Sequence, residues 1–523
     1  MNFKSISVGV LCLILFAACG GAPAAPSAPP TAAPPTAPVN AQQQPAATLA
    51  PDSQRQPVSS PTPLPPTIKP APSATPLLTP LPDIEPFLLY QTDRGLKVSR
   101  TDGSQTALVQ STMMPAVGRN LRAGIAPHDM WLALYRGDNP MTPDREGADP
   151  LALFLLHVPT GHSNSSPSLF SPDMEQAIKT ASATGDRTEA VEAGIAVIEN
   201  DHTLAWSPDG RYLAFLAARD GPSSDLYSLD RETGQINRLT DGPNQAARLF
   251  WSPDSQWIVH EEVESFGTGA GWNVKAVWAA APDGSGNRKL YDTEYSGDEV
   301  FVDWVTPKTF LVYSWTAIGL QNIRLIDLDT GEAQRTGPEF PVQALAFDPE
   351  SQTQLYVADD YTAKQNNLQG GLYLATPAQQ PQLITSGNWY EVRWLPHAQL
   401  FFAKGEAGVI SVALDGTQTE YFGEGALPSD APDGAWLLAW GDGNYTSPIG
   451  LRLYTPDGAP AGELRRAITT DAVTFALWSP DSNGVFYLSD GMLYYVSIPN
   501  GDPQLIEENL TNTEAGGLGW VMP

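Results

Sequence analysis

From residue 204 onward the chain is a succession of short apolar runs cut by polar turns. Tyr212 to Ala218, Trp257 to His260, Thr309 to Tyr313, Gln399 to Ala403, Trp436 to Trp440 and Val485 to Leu488 are apolar at nearly every position. A run of four to eight such residues between turn signals reads as a strand covered on both faces. Before each run stands a turn containing proline, and before all but the run at Trp436 a strand that ends in or near Trp or Phe. The clearest copies are Leu204-Ala205-Trp206-Ser207-Pro208-Asp209-Gly210, Phe250-Trp251-Ser252-Pro253-Asp254-Ser255 and Leu477-Trp478-Ser479-Pro480-Asp481-Ser482. Ser, Pro and Gly at the first, second and fourth positions suit a type I turn. Proline has no N–H for a ladder, so it falls between strands and not inside one.

The unit continues through a polar loop, a third strand, a tight turn and a fourth strand. Third strands are plain at Asp225 to Leu229, Ile323 to Leu328 and Gly371 to Ala375, and the turns at 230–234 and 329–331 carry the Asp and Gly that hairpins need. From Pro253 the turn prolines recur at Pro307, Pro349, Pro396, Pro432 and Pro480, at intervals of 54, 42, 47, 36 and 48 residues. Four strands per unit at that period predict the blades of a β-propeller, in which each blade is sandwiched between two others.

The chain ends in Gly519-Trp520-Val521-Met522-Pro523, the first strand and proline of one more unit, whereas the region opening at Phe87 lacks a first strand. The expectation is that the C-terminal segment supplies that strand and closes the ring, which removes exposed sheet edges. Nine units are counted this way, and a ring of about eight blades is expected because propellers usually have four to eight. The long interval from Pro127 to Pro208 contains a stretch, 173–194, that reads as a helical insertion.

The Trp-Ser-Pro-Asp-Gly phrase, the apolar strand after it, and Leu239-Thr240 closing a unit together resemble the repeats of TolB-type and WD-like propellers. The resemblance covers residues 87–523 and implies an all-β fold, a single propeller of four-stranded blades. It implies no particular role, because such repeats serve unrelated functions.

Ahead of the repeats the pattern changes twice. Lys4 followed by apolar Ile6 to Phe16 reads as an export signal, too short to span a bilayer core that needs roughly 20 residues. The following Ala17-Ala18-Cys19 resembles the bacterial lipobox, which implies cleavage after residue 18 and acylation of Cys19. Residues 20–86 then hold 20 of the 49 prolines among Ala, Thr, Ser and Gln. Such a stretch cannot bury enough apolar surface to fold and is expected to be a disordered tether. The domain reading is therefore a signal at 1–18, an acylated linker at 19–86 and the propeller at 87–523, anchored by lipid at the outer face of the cell membrane or in the envelope.

A formal charge of −29 argues against a nucleic-acid partner, since phosphate is met by clustered Lys and Arg. Both cysteines lie before residue 20, so the propeller can have neither a disulfide framework nor a thiolate metal site. The six histidines are scattered without metal-ligand spacing, no G-x-S-x-G elbow occurs, and acidic triplets such as Asp327-Leu328-Asp329 fall where hairpin turns want Asp. No metal, cofactor or catalytic residue is therefore assigned, and the expectation is a protein that is not an enzyme.

The long connections fall between second and third strands, at 136–149, 262–273, 313–322, 359–369 and 441–448, and in a meander these emerge on one face. They carry Phe266, Trp272, Trp315, Tyr361 and Tyr445, the candidates for a binding face, because aromatic side chains dominate interface energetics. The function expected is a non-catalytic envelope lipoprotein that binds or scaffolds another envelope protein. The alternative left open is a lyase, glycosidase or lectin acting on cell-wall glycan through the same face, with a pair of carboxylates as its sign in a glycosidase.

Overall fold

The computed structural model describes residues 81–523 except 105, 111–120, 138–139, 142–149, 200–201, 266–272, 294–297, 317, 378, 423–426, 442–449, 457–463 and 512–516. Nine antiparallel sheets follow one another among the described residues, eight of four strands and one of three. They form the blades of one propeller. Blade 1 comprises residues 87–110 with Leu518–Val521; blades 2 to 9 take 131–168, 204–238, 245–292, 298–335, 344–386, 389–422, 429–469 and 475–507. Nine is the number of units counted in the sequence, one above the ring of about eight. The helical segment takes no blade's place, because it lies between blades 2 and 3.

The proline turns show why the repeated phrase has its residues. The Ser207 hydroxyl donates to Asp209 Oδ1 at 2.6 Å and accepts the Tyr212 N–H at 2.9 Å. Ser252 and Ser479 repeat both contacts with Asp254 and Trp257, and with Asp481 and Gly484. The fourth turn position is left-handed, with φ 71° at Gly210, 61° at Ser255 and 60° at Ser482. Glycine takes this conformation freely, and serine does so at a cost. Here the serine has a compensating contact, since Ser255 Oγ accepts the Asp209 N–H of the preceding blade and Ser482 Oγ accepts that of Asp433.

Apart from Trp478, whose buried indole N–H finds no partner among the described residues, the tryptophan before the turn joins one blade to the next where the repeat is clearest. Its indole N–H donates to a carbonyl near the inner edge of the preceding blade: Trp206 to Gly124 at 2.7 Å and Trp251 to Ala205 at 3.0 Å. Trp520 donates to Trp478 of blade 9 at 2.8 Å, so the same device closes the ring. The strand that carries it pairs with the first sequential strand in the register Phe87 with Val521 through Tyr90 with Leu518. The core lies between blades, where Phe215, Phe310, Phe401, Phe402 and Phe486 are fully buried.

Blade 2 departs from the pattern. A short 3-10 helix at Leu121–Gly124 and a single bridge from Ile125 to Leu132 stand where other blades have a first strand. After this blade come α1 (Pro172–Thr184) and α2 (Glu189–Glu199). Ser171 caps α1 by accepting the Met174 N–H, and Gly185 ends it at φ 77°. Met174, Ile178 and Ala181 of α1 and Val191 and Ile195 of α2 pack with Leu216, Ala217 and Ala218 of blade 3. The helices approach closely at Gly194, where a Cβ would lie 2.8 Å from Ile178 Cδ1.

Candidate binding face

In a blade whose strands run alternately up and down, the first-to-second and third-to-fourth turns share one face. The second-to-third connections and the links between blades share the other. The proline turns make the first face tight. The second face is divided into sectors by what lies over it.

Over blades 3 and 4 it is covered. Ala193 and Ala196 of α2 pack on Ala247, Val263 and Val274, near the ends of blade 4 strands on this face. Over blades 5, 6 and 7 none of the described residues forms such a cover. Trp315 is 50% exposed and Ile318 63% in the blade 5 hairpin; Tyr361 is 74% and Leu368 40% exposed in the blade 6 connection; Tyr390, at the start of blade 7, is 47% exposed. These are five of the nine large apolar side chains exposed among the described residues. Concentration on three consecutive blades is not what singly scattered surface residues give.

The sector is held firmly from below. Val342, in the link between blades 5 and 6, exchanges two 2.8 Å hydrogen bonds with Leu320 of the blade 5 hairpin. The next residue, Gln343, donates to Asp359 Oδ2, whose other oxygen caps the short helix α3 (Asp360–Gln365) by accepting the Thr362 N–H. Those contacts hold the Asp359 carboxyl below its ordinary value against the opposing effect of burial. Gly319, at φ 123°, lies under Val342, and a Cβ there would stand 2.6 Å from its carbonyl oxygen.

Along the seam between blades 4 and 5 runs a buried ionic network. Arg248 Nε donates to Glu261 Oε2 at 2.8 Å and its guanidinium reaches the Glu299 carbonyl at 3.2 Å. One Glu299 carboxylate oxygen accepts from Tyr291 and Arg324, and the other from Ser314. Burial raises the Glu299 carboxyl above its ordinary value, with Arg324 opposing. Both oxygens are engaged, so the arrangement is that of a joint and not of an acid offered to a substrate.

Of the residues singled out in the sequence, Trp315 and Tyr361 lie exposed on this face on adjacent blades. Phe266, Trp272, Tyr445 and Cys19 lie outside the described residues. Ile318, Leu368 and Tyr390, which the sequence pattern did not single out, are exposed beside Trp315 and Tyr361. Tyr390 was legible in the alternation of Trp389-Tyr390-Glu391, in which Trp389 is buried and its neighbour is not. His260 is a core residue pushed down to about 4 by burial. Asp327 accepts the Asp329 and Thr330 N–H groups, which is a turn's use of aspartate. Among the described residues no three His, Cys, Asp or Glu side chains gather as metal ligands, and no helix is long and apolar enough to cross a membrane.

No family model matches the chain. It is 44% identical over 54 residues to an uncharacterised peptidase of Bacillus subtilis, covering 10% of this chain and 8% of the peptidase. It is 33% identical over 104 residues to an uncharacterised protein of Agrobacterium fabrum, covering 18% of this chain and 33% of that protein. The chain thus spans a third or less of the length of these curated relatives. Among solved structures, one described as a eukaryotic initiation factor superposes with a TM-score of 0.50 at 12% identity, over 84% of this chain and 99% of that one. TolB from Acinetobacter baumannii gives 0.27 at 15% identity over 56% and 61%, and the C-terminal WD40 domain of Sif2 gives 0.38 at 15% over 74% and 99%. At these identities the likeness is one of fold: the chain is a β-propeller with TolB and WD40 propellers among its structural neighbours.

Proposed function

We propose that this protein is a non-catalytic binding scaffold that presents the bare sector of blades 5 to 7 to another protein of the cell envelope. The observation that supports this is the set Trp315, Ile318, Tyr361, Leu368 and Tyr390, large and exposed on one face of three successive blades. Burying such side chains contributes about 25 cal/mol per Å² of apolar area. Aromatic anchors on a rigid frame lose little conformational freedom on binding. In this reading Cys19 carries the lipid, the proline-rich segment spaces the ring from the bilayer, and the acidic surface keeps it soluble there.

The test immobilises the purified chain and offers it solubilised envelope proteins from the same cells. A protein retained by the wild type should be lost from a folded variant carrying Trp315→Ala, Tyr361→Ala and Tyr390→Ala. Retention unchanged in that variant would overturn the reading. Retention of wall glycan with release of shortened products, lost in the same variant, would make this face a carbohydrate enzyme instead.

A further inference from the structure

The tight-turn face carries a feature that the repeat does not require. Where blades 2 and 3 meet, a cleft of about 250 Å³ is lined by Asp83, Asp129, Trp131, His157 and Arg231 among others. These come from the segment leading into blade 1, the proline turn and the paired ends of two strands of blade 2, and a turn of blade 3. The lead-in is fixed there by the Leu81 N–H, which donates to the Pro159 carbonyl at 3.0 Å.

The cleft exists because blade 2 breaks the turn rule. In place of Ser-Pro-Asp-Gly it has Ala126-Pro127-His128-Asp129-Met130, and two consecutive non-glycine residues are left-handed, Asp129 at φ 62° and Met130 at φ 54°. The other proline turns have at most one left-handed position, which is a glycine at Gly210 and Gly434. Met130 is buried, its N–H donates to the Met522 carbonyl and its own carbonyl accepts the Val158 N–H, so the unusual backbone is over-determined by its surroundings. Strain held in this way is a pointer to use and not to neglect. Its result is that Asp129 meets Arg231 of blade 3 at 2.6 Å. His157 lies beside them, its ring 5.1 Å from that of Trp131 and its Nδ1 2.8 Å from Thr160 Oγ1. Burial lowers the His157 pKa from its ordinary value, with the Asp83 and Asp129 carboxylates opposing.

The mixture of groups decides the ligand. The side-chain carboxylates of Asp83 and Asp129 repel an anion, and the Arg231 guanidinium, paired with Asp129, disfavours a free cation, which would have to compete with it for that carboxylate. A neutral ligand with hydroxyls on its edge can donate to the carboxylates and accept from the guanidinium at once, while its C–H face lies on the indole. A drug-sized molecule needs about 300–1,000 Å³, so this cleft has room for one ring. We infer that the cleft between blades 2 and 3 is a carbohydrate site that takes a single neutral sugar ring against Trp131, with Asp83, Asp129 and Arg231 reading its hydroxyls. It lies on the face opposite the protein-binding sector and does not depend on that reading.

The test is saturation-transfer NMR and calorimetry on the purified full chain with glucose, N-acetylglucosamine, galacturonate and n-butylamine as probes. At least one neutral sugar should bind with a Kd of about 1 mM, the level a ligand of that size reaches. Asp83 sits on an exposed lead-in outside every strand, so Asp83→Asn should fold normally and weaken binding about fivefold or more, and Arg231→Gln should do the same. Binding of neither neutral sugar at about twenty times that concentration would overturn the assignment. So would preference for butylamine or galacturonate over the neutral sugars, or sugar binding that both substitutions leave intact.

Discussion

Blades 3 and 4 and blades 5 to 7 are built from the same repeat and open on the same face, yet they meet solvent differently. Over blades 3 and 4 the strand ends carry alanine and valine, and the hairpin of α1 and α2 buries them. Over blades 5 to 7 there is no helical insertion of that size among the described residues, and the corresponding connections carry Trp, Ile, Tyr and Leu in the open. A surface that is finished intramolecularly uses small residues that pack close to a helix, as Gly194 does against Ile178. A surface that is finished by a partner uses large side chains able to reach it. The division falls at the seam held by Arg248, Glu261, Glu299 and Arg324.

That comparison can be broken at several points. The largest effect is expected at the seam itself: Glu299→Ala leaves the buried Arg324 without its carboxylate and should cost about 3–5 kcal/mol in urea unfolding. The seam also has a pH signature. Because the folded Glu299 pKa lies above the unfolded one, its contribution is present in acid and lost as the pH rises through the raised value. Stability measured from about pH 4 to 8 should therefore decline less steeply in Glu299→Gln than in the wild type.

Next comes the covered sector, where Ile178→Ala should destabilise by about 2–5 kcal/mol, since the side chain is fully buried between the helices and blade 3. A smaller loss, about 1–2 kcal/mol, is expected for Trp251→Phe, which leaves the Ala205 carbonyl without the indole N–H. Smallest is the bare sector, where Trp315→Ala or Tyr361→Ala should shift stability by no more than about 0.5 kcal/mol while abolishing partner retention. Equal stability losses for Ile178→Ala and Trp315→Ala would erase the distinction between the sectors. A separate measurement bears on the anchor: a fatty-acid label incorporated during growth should be lost in Cys19→Ser.

Much of the architecture was legible because it repeats. The Trp-Ser-Pro-Asp phrase marks the end of a first strand and its turn, so reading the phrase located the blades, and a local turn's chemistry is written in adjacent residues. The exposed sector was half legible: Trp315 and Tyr361 stood out as aromatics in long loops, but Ile318, Leu368 and Tyr390 did not, because exposure depends on what lies above a residue. The cleft between blades 2 and 3 was not legible. Asp83, Asp129 and Arg231 are far apart in the chain, and nothing in their local sequence says that two left-handed residues will turn one toward another.

By itself the sequence determined the class of fold, the repeat, the strand order within a blade and the acidic, cysteine-free character of the ring, since each rests on period, turn chemistry or composition. The tertiary structure alone decided which sector α1 and α2 would roof, which aromatics would stay in solvent, how Glu299 would be enclosed and where a cleft would open. Those features arise from contacts between residues tens to hundreds of positions apart, where geometry and not pattern sets what is buried.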